Sequence, residues 1–187
     1  MNQMTYLNDQ FIIAMPALAD PNFFHTVTYL CQHNEEGALG IIINRPAEMK
    51  LGEICKQMNI SYQSDSIAET PVYMGGPVQQ DRGFVLHTAG ANWDVTFAVS
   101  DTISLTTSRD IIEAIAANKG PEQFLIALGY AGWGVGQLEK EMLENAWLNT
   151  PSGKHIIFDT PINNRWQAAG SQIGIDINQL TTPAGHG

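Results

Sequence analysis

The sequence predicts a single α+β domain, and three observations carry that prediction. Strand-like segments come in neighbouring pairs, interrupted by isolated helical stretches, rather than alternating with helices one for one. That order argues against a regular βαβ array. The 187 residues fit one domain, with a core large enough to need no disulfide or metal staple. Hydrophobic residues make up 44% and charged residues 15%, the balance of a compact globule, or of an oligomer with buried faces, rather than of disorder. A homo-oligomer therefore stays open. Residues 1–180 are expected to form the domain, with Thr181–Gly187, TTPAGHG, as a mobile tail.

The elements follow in order. Phe11–Met15, FIIAM, reads as a buried strand closed by Pro16. Asp20-Pro21-Asn22 is turn chemistry. Thr26–Gln32 is β-branched and aromatic, and Ala38–Asn44 is its expected hairpin partner across His33–Gly37. Pro46 is expected to end that second strand. Leu51, Ile54, Cys55 and Met58 fall at i, i+3, i+4 and i+7, one apolar helical face, so Cys55 is a core residue. Asn59–Thr70 reads as irregular, Val72–Met74 as a short strand, and Gly75-Gly76-Pro77 as a sharp turn. Gly83–His87 and the alternating Trp93–Val99 form a second expected hairpin across Thr88–Asn92. Ser108–Asn118 is a helix with Thr107 or Ser108 as cap and Gly120-Pro121 as stop. Phe124–Tyr130 is a strand, Gln137–Asn145 a helix, Trp147–Leu148 and His155–Phe158 strand pieces, and Arg165–Gly170 a last helical turn.

Charge excludes some functions. Nine Lys and Arg face nineteen Asp and Glu, for a formal charge of −10. That balance repels phosphate backbones and anionic lipid, so direct nucleic-acid and membrane contact are not expected. The start, MNQMTYLNDQ, lacks a basic region followed by an apolar run, and no apolar run approaches the roughly 20 residues of a membrane span. A cytoplasmic protein is the expectation. Two cysteines, Cys31 and Cys55, without a CxxC, indicate neither a disulfide framework nor a zinc ribbon.

The densest local signal is Phe124–Leu143, FLIALGYAGWGVGQLEKEML. Gly129, Gly132, Gly134 and Gly136 follow a buried strand and precede a helix, the setting in which backbone N–H groups cradle phosphates. A P-loop would need GxxxxGK[ST], and a dinucleotide fingerprint would need a third glycine where Gln137 stands. Glu139, Glu141 and Glu144 would also oppose an incoming phosphate. No nucleotide or other cofactor is expected. The stretch reads as a packing or partner-binding connection centred on Trp133. Gln137, Glu141 and Asn145, at i, i+4 and i+8, form either a polar site wall or a solvated face. His87 ends an apolar strand and is the candidate general base, against a hydrogen-bonded core histidine. Cys31, His33 and His25 allow a metal site only weakly, since no HExxH, HxH or CxxC supports it, and no metal is expected. No GxSxG elbow supports a serine hydrolase. Arg45, in Asn44-Arg45-Pro46, stands where a carboxylate or phosphate is clamped, or where a structural cap is made.

These segments resemble the AlgH/YqgE-like family of bacterial proteins, whose function is uncharacterised. The match rests on Gly37–Gly40, Asn44–Pro46, Val72–Val78 (VYMGGPV), Gly83–His87 and Leu128–Leu138 (LGYAGWGVGQL), with Glu141 and Trp147 beyond, in order from Phe11 to about Trp166. The resemblance implies an α+β domain with a mixed, branched and partly barrel-like sheet surrounded by helices. It implies no shared catalytic residues. Some members carry a transcriptional-regulator label, which the acidic charge recasts as an indirect effect. Two readings follow. The first is a non-enzymatic binding or interaction module, for an unknown protein or small molecule, with Asn44, Arg45, Gly75, Gly76, Trp133, Gly134, Gln137 and Glu141 gathered on one surface. The second is an enzyme on a small molecule, using a pocket near His87, Arg45 and Glu141. A third, a DNA-binding regulator, runs against the charge.

Overall fold

The computed structural model describes residues 6–15, 18, 20, 21 and 23–174. The expected tail at 181–187, Pro16 and Asn22 lie outside them. Ten strands are described: β1 (Gln10–Ala14), β2 (Val27–Asn34), β3 (Gly37–Ile42), β4 (Pro46–Lys50), β5 (Pro71–Met74), β6 (Val78–Thr88), β7 (Thr96–Ala98), β8 (Ile103–Thr106), β9 (Phe124–Trp133) and β10 (Trp147–Pro151). Six short helices accompany them: α1 (Leu51–Gln57), α2 (Asp65–Ala68), α3 (Arg109–Ala116), α4 (Gln137–Leu143), α5 (Lys154–Phe158) and α6 (Arg165–Ser171). Among the described residues no helix is long and apolar enough to cross a membrane.

The sheet runs β10-β1-β2-β3-β9-β6-β8-β7, with β5 and then β4 branching off β9. The branch arises because β9 is too long for one partner on that side. Its first half pairs in parallel with β5 (Val72↔Ile126 to Met74↔Leu128), and its last residues pair antiparallel with β3 (Ala38↔Trp133 to Gly40↔Ala131). β6 lies along its other edge. Every other pair is antiparallel, and the fold is the expected α+β domain with a mixed, branched sheet.

The alternation of side chains about the strands makes three apolar clusters. Phe11, Tyr29, Ile41, Phe84, Leu86 and Leu125 face inward as the sheet curls into a half-barrel, and Ile156, Ile157 and Ala169 of α5 and α6 fill its hollow. On the outer face, α1 and α3 cover Val72, Val85 and Ile126. At the far end α4 packs Leu138 against Ala131, Trp133 and Trp147.

Five expectations are corrected. The glycine-rich stretch is not a loop up to Gly136: β9 continues through Gly129 and Gly132 to Trp133 because β3 supplies it with a second partner. The hairpin across Thr88–Asn92 does not form. The amides of Trp93, Asp94 and Val95 are taken by Thr96, Asp110 and Ser108 side chains, so only Thr96–Ala98 enters a ladder, and β6 pairs with β8 instead. Val95 and Phe97 are consequently exposed. His155–Phe158 is helical, since Gly153 accepts from the Ile156 amide and closes a turn. Pro46 begins β4 rather than merely ending β3, its missing N–H costing nothing at a strand start. Ser108 does precede α3, but its hydroxyl donates to Asp110 rather than capping.

Candidate functional site

Asn44 and Arg45 follow β3, where the chain turns into β4. Asn44 Oδ1 accepts from the Val27 amide and its Nδ2 donates to the His25 carbonyl, both at 2.9 Å. Arg45 Nη2 donates to the carbonyls of Pro21 at 2.9 Å and Phe24 at 3.2 Å. Together they hold Pro21 and residues 24–27 down on the strand ends. Desolvation lowers the Arg45 pKa, while the nearby Asp20 carboxylate acts against it.

Gly75 and Gly76 sit at the branch. The Gly75 amide donates to Leu128 and its carbonyl accepts from Ile42, both at 2.8 Å, which ties β3 to β9. A Cβ on Gly76 would lie 2.0 Å from the Tyr130 carbonyl carbon, and one on Gly129 (φ +76°) would lie 2.4 Å from the Gly76 oxygen. The two glycine motifs therefore require each other: backbones cross there with no room for any side chain.

At the end of β9, Trp133 is 6% exposed and lies under α4. Its Nε1–H donates to Glu141 Oε1 at 3.1 Å, and Trp147 Nε1–H donates to the same oxygen at 2.8 Å. Gln137 Nε2 donates to Glu141 Oε2 at 2.9 Å, while Gln137 Oε1 accepts from the Gly134 amide at 2.9 Å. Phe23, on the loop that Asn44 and Arg45 hold, stacks 6.2 Å from Trp133. Neighbouring Glu139 accepts from His33 Nε2 at 3.1 Å, and His33 Nδ1 accepts from the Leu7 amide at 3.0 Å, which fixes the ring as its Nε2–H tautomer.

His87 is 0% exposed. Nε2 meets Thr106 Oγ1 at 2.7 Å, Nδ1 meets the Thr88 carbonyl at 2.9 Å, and Trp93 covers it edge-on at 5.2 Å. Burial lowers its pKa, which the Thr88 carbonyl partly offsets. It does not open onto a concave surface, as a general base would need to. Cys31, in the half-barrel core, has its thiol pKa raised by burial above its ordinary range. Among the described residues no cluster of three His, Cys, Asp or Glu side chains is placed to hold a metal.

The eight expected surface residues are thus partly gathered. Arg45 and Gly76 line one hollow of about 140 Å³ with Met74, Pro77 and Gln80. Trp133 borders another of about 370 Å³ with Tyr130 and Asn34. His87, Arg45 and Glu141 do not converge, each being engaged in separate contacts.

A larger cleft, about 500 Å³, opens on the outer face between the C-terminal end of α1, the start of α3 and the sheet. Val85, Ile126 and Leu128 form its floor, and Ile54 and Ile112 its helical walls. Met49, Met58, Asp81, Arg82 and residues 106–108 also line it, and Arg109 reaches from α3 to the Met58 carbonyl at 2.6 Å, bridging the two helices. No sequence pattern marked this cleft. Its lining is drawn from β4, α1, β6, β8, α3 and β9, so no local spacing records it.

Comparison with known proteins adds the following. A profile of the family described as AlgH-like matches residues 11–178. A UPF0301 protein of Methylococcus capsulatus is 52% identical over 186 residues, covering 100% of this chain and 99% of its own. One from Nitrosococcus oceani is 50% identical, with 100% of both chains covered. The solution structure of the AlgH protein from Pseudomonas aeruginosa superposes with a TM-score of 0.82 at 46% identity over the whole of both chains. A crystal structure from Corynebacterium diphtheriae, at 15% identity, shares the fold with a TM-score of 0.69 over 90% of this chain and 87% of that one.

Proposed function

The chain belongs to the AlgH-like family, and from that premise we propose that it is a non-enzymatic binding module that takes a small molecule in the cleft between α1, α3 and β6. The observation that carries this reading is the cleft itself. At about 500 Å³, with an apolar floor ringed by polar and charged side chains, it has the size of a small-molecule site, whereas a protein interface of ordinary size spreads over a much larger area. The residues expected from the sequence to meet a partner are turned to other work: Asn44, Arg45, Gln137 and Glu141 spend their polar groups on the chain's own loops and indoles. Direct contact with DNA is no part of this reading, since nineteen acidic residues against nine basic ones oppose a DNA backbone. A ring-sized body burying about 150 Å² gains roughly 4 kcal/mol, which the cost of association offsets, so the polar rim decides the affinity.

The test is native mass spectrometry of the protein purified from its own cell, together with titration of the neutral dye Nile red. A bound small molecule, or dye uptake, that is lost in Ile112→Trp, which fills the cleft, is expected. A chain that carries no adduct and takes up no dye, or whose uptake is unchanged in Ile112→Trp, overturns the reading.

A further inference from the structure

The charges around the cleft are unevenly satisfied, and the imbalance points to one class of ligand. Arg109 gives Nη2 to the Met58 carbonyl at 2.6 Å, and its Nε lies 3.5 Å from Glu113, so its charge already has a counter-ion. Arg82 leans over the ring of Phe84, 5.7 Å from the centroid, and donates to Gln79. Arg82 lines the cleft beside Asp81, but Phe84 belongs to the half-barrel core on the opposite face of the sheet, so the guanidinium leans toward that face. Asp81 is different. It is exposed, lines the cleft, and among the described residues has neither a hydrogen bond nor an ion pair. It stands where β6 bulges away from β9, between the pairs Val78↔Tyr130 and Gly83↔Leu128, so the strand that carries it is not committed to a ladder at that point.

Resting on the small-molecule reading above, we infer that the ligand is an organic cation: an amine with an apolar or aromatic body, its ammonium group at Asp81 and its body on Ile54, Val85, Ile112 and Leu128. The methionine thioethers of Met49 and Met58 line the same cleft and suit a body of variable shape. The formal charge of −10 favours the approach of cations to the whole molecule and disfavours anions. An anionic head would have to compete with Glu113 and the Met58 carbonyl for Arg109, or draw Arg82 off the Phe84 ring and Gln79, and would stand beside the Asp81 carboxylate.

The experiment uses three probes with similar bodies and different heads: phenylethylammonium, 2-phenylethanol and 3-phenylpropanoate, each titrated into the full chain while the backbone amide NMR signals of Val85, Thr106 and Ile112 are followed. The ammonium is expected to bind about two- to fivefold tighter than the alcohol, the range an exposed ion pair supports, and the carboxylate more weakly than both. The preference for the ammonium is expected to shrink in 0.5 M salt through screening. In Asp81→Asn, an exposed and fold-neutral change, it should vanish while alcohol binding is unchanged. Binding of the alcohol with no preference for the ammonium, or a preference that survives Asp81→Asn, overturns this inference and leaves the cleft reading standing. The carboxylate binding tightest overturns it in favour of Arg109. Failure of all three probes to bind removes both.

Discussion

Replacing Glu141 tests whether the most distinctive side-chain cluster in the molecule is architecture. In Glu141→Ala, the indole N–H groups of Trp133 and Trp147 and the amide of Gln137 all lose their acceptor. Hydrogen bonds to a charged group contribute about 1.5–3 kcal/mol each. The two indole bonds are partly buried and the Gln137 bond is exposed, so a total near 3–4 kcal/mol follows once the exposed bond is discounted. For a chain this long that is roughly a 10 °C fall in Tm. A double-mutant cycle makes the argument sharper. In Glu141→Gln the new carboxamide oxygen still serves both indoles, but its NH2 confronts the NH2 of Gln137. Flipping Gln137 would relieve that clash only by turning its NH2 onto the Gly134 amide. In Gln137→Glu two carboxylates face each other where a 2.9 Å hydrogen bond stood. The combined Gln137→Glu/Glu141→Gln variant restores every donor–acceptor pair with the roles exchanged. It should therefore be more stable than the sum of the single effects by about 1–2 kcal/mol. Urea unfolding followed by tryptophan fluorescence measures all four corners. Additive single effects, or a Glu141→Ala protein as stable as the parent, would refute the assignment.

Three further outcomes are expected. Gly76→Ala should lower stability by more than about 3 kcal/mol or prevent folding, because its Cβ would overlap the Tyr130 backbone, while Gly83→Ala, with nothing within 4 Å of the new atom, should stay within about 0.5 kcal/mol; equal melting temperatures would contradict the branch geometry. Asn44→Ala should cost about 1–3 kcal/mol by orphaning the Val27 amide and His25 carbonyl, with faster hydrogen exchange at Val27, and unchanged exchange there would count against the loop clamp. For His87, burial depresses the folded pKa below the ordinary value of about 6.5. As pH falls from that value toward the folded pKa, the unfolded chain takes up a proton that the native chain does not. His87 thus contributes stability that is present above pH 6.5 and is lost below it, with a slope of at most about 1.4 kcal/mol per pH unit. An imidazole NMR titration of His87 with a midpoint at or above 6.5 would oppose this.

The parts of the fold that were legible in the sequence are those set by local pattern. The β2–β3 hairpin, α1 and α3 follow from runs whose period and punctuation agree. The misses have physical causes at particular residues. Ile156 and Ile157 are a short apolar pair, which fits a strand or a buried helical turn equally, and only the preceding Gly153 decides it. Trp93–Val99 alternates like a strand, but Ser108 and Asp110, more than ten residues on, take its amides. β8 is four residues long and flanked by polar residues, so it left little trace. Of the expected site residues, the motifs were visible and their purpose was not. Trp133, Glu141 and Gln137 read as a surface because the indole of Trp147, which consumes the carboxylate, comes from the next strand.

The glycine-rich stretch and the Gly-Gly-Pro turn are the most recognisable pieces of the chain, and the structure gives them one common cause. β9 needs two partners on one edge, so β3 and β5 must both reach it, and Gly75-Gly76 must pass against Gly129-Tyr130 with backbone touching backbone. Such a crossing restricts residue types severely without performing any chemistry. A segment can therefore be distinctive because its space is exhausted, and a group whose contacts are exhausted has little left with which to bind a ligand. Glu141 illustrates the same point in hydrogen bonds, with three donors on two oxygens. The cleft under α1 and α3 is the reverse case. Its lining is chemically ordinary, assembled from six elements, and includes a carboxylate at Asp81 without a partner among the described residues. Unspent polar capacity beside an enclosed apolar surface is what recognition requires. On this molecule that combination lies away from the sequence motifs, so a substitution that separates binding from folding belongs at the exposed Asp81 rather than at Gly76 or Glu141.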